Sequence, residues 1–260
     1  MIMPKVQKVR KGLAKAAELK LSRKHTSTSA APKMVAELQA LYKKNTNASK
    51  AKAMKKYMRD QFEFFGLQAP VRRQLDKQIV EKYPLPDSQF VKDVLAVLWE
   101  KDEREFQMFG IDYACKHKDL LAGVNSETCR SSLELLRHLL THKSWWDTVD
   151  MLASSVVGHM ALKHPEVLNP TLEEWIDHEN MWLRRTAILH QLGYKKKTDA
   201  EKLFRYCKQR CHEGEFFIQK AIGWALREYF RTDPTNVKIF VETNAKALSK
   251  LSIREALKHA

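Results

Sequence analysis

The residues with the clearest chemical potential are a tryptophan and an aspartate four positions apart, Trp146 and Asp150. They lie in the segment Trp145-Trp146-Asp147-Thr148-Val149-Asp150, and in a helix their spacing puts both side chains on one face. Such a pair can bind a cation, because the carboxylate and the face of the indole ring both attract positive charge. The alternative is a tryptophan packed in the core with a solvated aspartate at its edge, and the pair alone fits this alternative better.

Two later segments favour the cation-binding interpretation. Met181 to Ala187 and Phe217 to Arg227 each set a large aromatic residue beside a basic one within a helical turn. Aromatic rings next to positive charges suit a ligand that has a charged backbone with bases or sugars beside it. The three segments together therefore point to nucleic acid.

The composition agrees with a helical protein that binds a polyanion. The net charge of +15 and the pI near 9.6 favour nucleic acid or an anionic membrane surface as partner. With 8 Gly and 8 Pro in 260 residues and no sustained alternation of apolar and polar residues, the chain is expected to be all-α. No apolar run approaches the length of a membrane span. The aromatic and basic segments favour nucleic acid over a membrane surface, so no membrane partner is expected.

The cysteine pattern predicts neither a disulfide framework nor a metal site. The cysteines are Cys115, Cys129, Cys207 and Cys211. Their spacing is not that of a disulfide-rich domain, which favours a reducing compartment. Cys207 and Cys211 are followed by His212, but no second ligand pair accompanies them at the spacing of a zinc site. We expect no metal and no cofactor.

The first 33 residues form a basic N-terminal arm. They contain nine Lys or Arg and one Glu, so they carry +8 of the net charge of +15. The arm ends in a polar, small-residue run, and we expect it to be disordered when isolated. Such a segment can be an organelle transit peptide, a nuclear import signal or a DNA-binding arm, and the sequence does not separate these roles.

From residue 34 to 260 the pattern is one domain of successive helices. They are predicted at 33–44, 49–64, 70–83, 87–99, 102–117, 126–142, 145–163, 165–178, 181–193, 198–212, 214–231, 234–246 and 249–259. Asn169-Pro170 and Asp233-Pro234 resemble helix starts, and Ser252 with Glu255 has the spacing of a capping box. Helices of this length joined by short turns predict an α-solenoid of HEAT-like repeats.

In a solenoid the second helix of each pair lines one concave face. The functional side chains of the three segments would then lie on neighbouring helices of that face. They are Trp146, Asp150, Trp182, Arg185, Lys220 and Trp224. A long, basic, concave surface matches double-stranded DNA.

At these residues the sequence resembles the DNA alkylation repair glycosylases of the AlkD type, which are HEAT-like solenoids. The resemblance covers roughly residues 34 to 250 and is carried by the segments 144–150, 182–187 and 221–229. It implies that Asp150 is the catalytic aspartate, that Trp146 and Trp224 flank the lesion, and that Arg185 contacts a phosphate. Arg184, Lys220 and Trp182 are expected to contact the DNA beside them.

The resemblance implies a monomeric, monofunctional glycosylase that acts on alkylated bases in duplex DNA, inside the cell. A purine alkylated at N3 or N7 is cationic and leaves readily, so only the developing oxocarbenium ion of the sugar needs a carboxylate. Members of the family are similar in leaving the modified base stacked, so no deep base pocket is expected, unlike in base-flipping enzymes.

Other interpretations remain open at this point. Trp145 is assigned to packing, Trp182 to packing or DNA contact, and Asp147 to the solvated start of its helix. Functional rivals are a solenoid that binds damaged or branched DNA without catalysis, and an adaptor for an acidic protein or a membrane surface. The retention of Asp150 with both tryptophans argues against both rivals.

Overall fold

The computed structural model describes residues 30–259, which form helices joined by short connections and no β-strand. The helices are α1 Ala31–Lys44, α2 Ala48–Tyr57, α3 Ala69–Val80, α4 Ser88–Trp99, α5 Arg104–Lys116, α6 Lys118–Ala122, α7 Ser126–Thr141, α8 Trp146–Met151, α9 Gly158–Lys163, α10 Pro165–Ile176, α11 Met181–Leu189, α12 Ala200–Arg210, α13 Phe216–Phe230, α14 Pro234–Thr243 and α15 Lys250–Ala256. A π-helical segment joins α8 to α9, and a short 3-10 turn precedes α12. The predicted all-α fold is confirmed.

The helices stack in two layers. Helices α5, α8, α11, α13 and α15 form one layer, which we call the inner layer, and each of them contacts the next. Helices α4, α7, α10, α12 and α14 alternate with them along the chain and form the other layer. A solenoid is stabilised in this way, because each helix pair buries its apolar face only against its neighbours.

One apolar core runs between the two layers. Side chains such as Leu136, Val156, Leu172 and Ile222 belong to the same cluster and are fully buried. Each of these side chains contributes about 1.5–3 kcal/mol when it is removed from water. The core therefore stabilises the packing of the two layers against each other.

The helix that carries Asp150 is irregular in its middle. Residues Leu152–Val157 form the π-helical segment between α8 and α9, which takes one more residue into the turn than an α-helix does. Beyond it, Gly158 lies against the chain that follows α11. A Cβ on Gly158 would lie 2.2 Å from the carbonyl oxygen of His190, and Tyr194 donates a hydrogen bond of 2.5 Å to the carbonyl of Gly158.

The largest error in the predicted helices concerns 49–64. Helix α2 ends at Tyr57, because Arg59 and Asp60 have φ angles of 56° and 57° in the left-handed region. The chain then leaves helical geometry, and its backbone N–H groups from Phe65 to Leu67 donate to the buried carboxylate of Glu105 at 2.8–3.1 Å. A helix through this stretch would lose these hydrogen bonds.

The predicted helix starts had mixed outcomes. Asp233 caps α14 as expected, since its side chain accepts from the N–H of Asn236 at 3.0 Å. The predicted start at Asn169-Pro170 is wrong, because Pro170 lies inside α10, which begins at Pro165. The capping box of Ser252 with Glu255 is also wrong, since Ser249 caps α15.

Residues 1–29 lie outside the described residues, so the predicted disorder of the arm stays a prediction. Helix α1 begins at Ala31, and the expected boundary at residue 33 therefore falls inside it. Between residues 30 and 259, no helix is both long and apolar enough to cross a membrane.

Candidate functional site

The carboxylate of Asp150 is held by the guanidinium group of Arg185. Asp150 lies on α8 and Arg185 on the next inner helix, α11. The Nε atom donates to one carboxylate oxygen at 2.7 Å, and Nη2 donates to the other at 2.8 Å. Two parallel hydrogen bonds fix the plane of the carboxylate as well as its position.

Burial raises the pKa of Asp150, and the hydrogen bonds and charge of Arg185 oppose that rise. The negative charge of Asp147 adds to it. The side chain of Asp150 is 18% exposed, whereas that of Arg185 is 1% exposed. The carboxylate is therefore the member of the pair that a ligand can reach.

The structure corrects the expectation that Arg185 lies on the basic surface. Besides its bonds to Asp150, the guanidinium donates through Nη1 to the backbone carbonyl of Phe217. A buried guanidinium needs these acceptors, because an unpaired buried charge is strongly destabilising. In this arrangement Arg185 orients Asp150, and its contact with a phosphate stays a prediction.

The two tryptophans expected at the site lie on the helix of Asp150 and on the inner helix that follows α11. Trp146 precedes Asp150 by one helical turn, is half-buried, and meets the ring of Tyr57 edge-on at 6.2 Å. The ring of Trp224 on α13 lies 5.4 Å from the central carbon of the Arg185 guanidinium. The structure therefore brings Asp150 and both tryptophans to one region of the inner layer.

Trp145 and Trp182 form an aromatic cluster with Phe217. The ring centroids lie 6.0 Å apart for Trp145 and Trp182, and 5.2 Å and 5.0 Å from that of Phe217. All three side chains are half-buried. The packing assigned to Trp145 has a structural basis in this cluster, and the DNA contact of Trp182 stays a prediction.

Asp147 lies in the first turn of α8, as expected, but its side chain is largely buried there. It pairs with Arg104 of α5, whose Nη2 lies 2.6 Å from one carboxylate oxygen and whose Nε lies 3.0 Å from the other. The side chain of Arg104 is fully buried. The two aspartates of the motif thus face opposite ways along the inner layer, Asp147 towards α5 and Asp150 towards α11.

The other basic residues expected to contact DNA have protein partners in this structure. Arg184 donates to the carboxylate of Glu213 at 2.9 Å and to the carbonyl of His178 at 2.7 Å. Lys220 donates to Glu255 at 2.7 Å and is 23% exposed. Their phosphate contacts stay predictions, and the exposure of Lys220 suits it better to such a contact than Arg184, at 13%.

Sequence reasoning missed two residues beside the site. Tyr57 is 72% exposed and touches Trp146 from the end of α2, a contact that no local pattern indicates. Glu255 binds Lys220 from 35 positions away, the same separation that joins Asp150 to Arg185. A search for charged pairs at the repeat interval would have found Glu255.

With this geometry established, comparison with known proteins identifies the family. A family model described as "DNA alkylation repair enzyme" matches residues 38–260. The chain belongs to this family. A search of curated proteins gave no match.

Solved structures agree with this membership. The chain is similar to the "Predicted DNA alkylation repair enzyme from Enterococcus faecalis", with 32% identity, a TM-score of 0.69, and coverage of 82% of this chain and 96% of that one. Two Streptococcus mutans structures share the fold. These are smu.31, with 17% identity, TM-score 0.55 and coverage of 74% and 96%, and AlkD2, with 18%, 0.54, and 71% and 87%.

Proposed function

We propose that this DNA alkylation repair enzyme is a monofunctional DNA glycosylase that releases purines made cationic by alkylation at N3 or N7 in duplex DNA. The observation that carries the proposal is the carboxylate of Asp150, which is 18% exposed, is oriented by two hydrogen bonds from Arg185, and lies in the same region of the inner layer as Trp146 and Trp224. Family membership supports DNA as the partner.

The proposed chemistry needs one negative group and no general acid. A cationic purine leaves with the bonding electrons of the N-glycosidic bond and becomes neutral, while the deoxyribose becomes an oxocarbenium-like cation. Asp150 lowers the energy of that cation and orients a water molecule for attack at the anomeric carbon. The faces of Trp146 and Trp224 attract the same positive charge.

The arrangement favours recognition of the sugar and backbone over capture of an extruded base. The carboxylate of Asp150 is held near the surface of α8 by Arg185 and cannot move far towards a substrate. The reacting sugar must therefore be brought to the carboxylate. Lys220, at 23% exposure, lies one helical turn from Trp224 and is suited to a phosphate beside the lesion. We propose that the modified base stays in the helical stack and that the enzyme acts as a monomer.

One observation favours a second candidate function. Both oxygens of Asp150 are engaged by Arg185, as in a structural ion pair between two helices. In that case the protein binds damaged or branched DNA without cutting a bond, and Asp150 only stabilises the solenoid.

Base release from a duplex that contains N7-methylguanine separates the two functions. The free base is measured by chromatography with enzyme in excess over DNA, and the products are analysed before and after alkali. Wild type should release the free base without alkali, and strand breaks should appear only after alkali. Asp150→Asn should lose most of the base release. Asp119→Asn, the same change at a carboxylate that is 74% exposed on α6, is the matched control and should keep it. DNA binding without free base from wild type would establish the non-catalytic alternative.

A DNA substrate requires the protein to be present where DNA is. The arm, residues 1–33, is proposed to serve as a localisation signal or as an accessory DNA contact. Fusion of these residues to a fluorescent protein, with microscopy of the cells, tests the first role.

A further inference from the structure

The last inner helix places a carboxylate against the helix that carries Trp224. Glu255 of α15 accepts hydrogen bonds from three side chains of α13: Lys220 at 2.7 Å, Trp224 through its indole N–H at 3.2 Å, and Arg227 at 2.9 Å. The three donors are four and three residues apart, so they lie on one face of α13. The carboxylate of Glu255 thus holds three side chains along one face of α13.

The position of Glu255 is built into the packing of the two helices. α15 approaches α13 at Gly223, where an added Cβ would lie 2.4 Å from the Cβ of Glu255 and 2.9 Å from the carbonyl oxygen of Ser252. The hydroxyl of Ser252 also donates to the carbonyl of Gln219 at 2.9 Å. The side chain of Glu255 is only 11% exposed, so water competes little with its protein partners.

Glu255 also controls the charge around the indole ring. The ammonium of Lys220 lies 5.8 Å from the centre of the Trp224 ring and the guanidinium carbon of Arg227 lies 6.0 Å from it. The hydrogen bond and charge of Lys220 lower the pKa of Glu255, so this carboxylate stays ionised. Glu255 therefore balances Lys220 and Arg227 at this ring, while the third cation there, Arg185, is paired with Asp150.

From these contacts we propose that Glu255 is a positioning residue for the DNA repair site. It holds the indole of Trp224 in place and restrains Lys220 and Arg227, so that these cations do not bind phosphate at full strength. The inference rests on the proposed function for its catalytic consequence, but the restraint on the three side chains does not depend on it.

The proposal makes opposite predictions for chemistry and for binding. Removal of the carboxylate frees Trp224 to move, so base release should become slower. The same change frees Lys220 and Arg227, so affinity for an undamaged duplex should rise at low salt and its salt dependence should steepen by about one to two phosphate contacts. A residue that only stabilised the fold would not give this combination.

The test compares Glu255→Gln with Glu255→Ala in the full-length protein. Glutamine keeps an oxygen acceptor for the indole N–H of Trp224 but removes the charge, whereas alanine removes both. Single-turnover base release should fall by about tenfold in the alanine variant, the scale of one lost hydrogen bond to a charged group, and by less in the glutamine variant. Binding to undamaged DNA should tighten by about threefold or more at low salt in both. Glu242→Gln, which removes the same charge at an exposed position of α14, is the control and should show a smaller gain in affinity and no change in rate.

A spectroscopic readout keeps this proposal separate from the glycosylase proposal. Of the signals of the 6 tryptophan indole N–H groups in a ¹H–¹⁵N spectrum, the one lost in Trp224→Phe belongs to Trp224. It should shift and exchange faster with solvent in Glu255→Ala, with a smaller effect in Glu255→Gln. No base release by wild type would refute the glycosylase, yet this signal and the affinity would still test Glu255. An unchanged Trp224 signal together with unchanged DNA affinity in a folded Glu255→Ala variant would overturn the inference. If wild type is active, a wild-type rate of base release in Glu255→Ala would also overturn it.

Discussion

Replacement of Asp150 by asparagine should lower the stability of the protein and slow base release, and the two effects can be measured separately. Asparagine has the same shape and keeps one oxygen for Arg185, but its amide group faces the second N–H donor of the guanidinium. Neutralising one member of a fully buried ion pair costs about 3–5 kcal/mol. Because Asp150 is 18% exposed and one hydrogen bond is retained, we expect a loss of about 2–3 kcal/mol in the free energy of unfolding.

This loss leaves the protein folded at room temperature. Domains are stable by about 5–15 kcal/mol, and in a domain of this size each kcal/mol corresponds to about 2–4 °C in Tm. The Tm should therefore fall by about 4–12 °C, measured by circular dichroism at 222 nm. Base release at 25 °C should fall by about 10²–10³-fold, the scale found when one charge-stabilising group is removed from a site.

Single-turnover measurement with saturating enzyme separates the two effects, because a small unfolded fraction does not change the rate of the folded complex. The double variant with Arg185→Gln should lose less stability than the sum of the two single variants, since the pair is already broken in each. A wild-type rate in Asp150→Asn would show that the carboxylate has no role in the reaction. A wild-type Tm would show that the ion pair contributes nothing to the fold.

Three further predictions follow from the structure. Burial raises the pKa of Asp150, so base release should fall as the pH is lowered, with a midpoint above the ordinary aspartate pKa of about 3.9. The pH profile of Asp150→Asn should lack this acidic decline. Gly223→Ala should lower the Tm by several degrees and slow base release, because its methyl group would displace Glu255 of α15; a Tm equal to that of wild type would contradict the close approach. A protein that begins at Ala30 should keep the single-turnover rate and lose DNA affinity mainly at raised salt, because non-specific phosphate contacts are removed; loss of the rate itself would place the arm in the site.

The all-α fold was predictable, and so was the placement of the candidate site residues on neighbouring helices, because both depend on local patterns. Helical spacing placed Trp146 and Asp150 together, and the recurrence of Trp182 and Phe217 indicated stacked helix pairs. Such periodicities are properties of consecutive residues, which is why the all-α solenoid was recognisable without any structure.

The partners of the charged residues were not predictable from those patterns. Asp150 and Asp147 are the same residue type and only three positions apart, yet they pair with arginines on different helices, Arg185 and Arg104. Helix packing decides which helix lies beside each aspartate. The spacing of residues within one helix does not show whether an arginine on that helix is exposed or buried. The expected surface position of Arg185 was wrong for this reason.

The π-helical segment gives the helix of the site a fixed length. Asp150 before it and Gly158 after it contact the same neighbouring stretch, through Arg185 and through His190. If one residue between 152 and 157 were deleted, the segment would close into an ordinary α-helix that covers nearly the same span with one residue fewer, so both contacts would be kept. A residue inserted there as regular helix would instead turn the two ends by about 100° and shift them by about 1.5 Å relative to each other. Only one of the two contacts could form after such an insertion, so in evolution this stretch should tolerate substitutions and the loss of one residue better than an insertion.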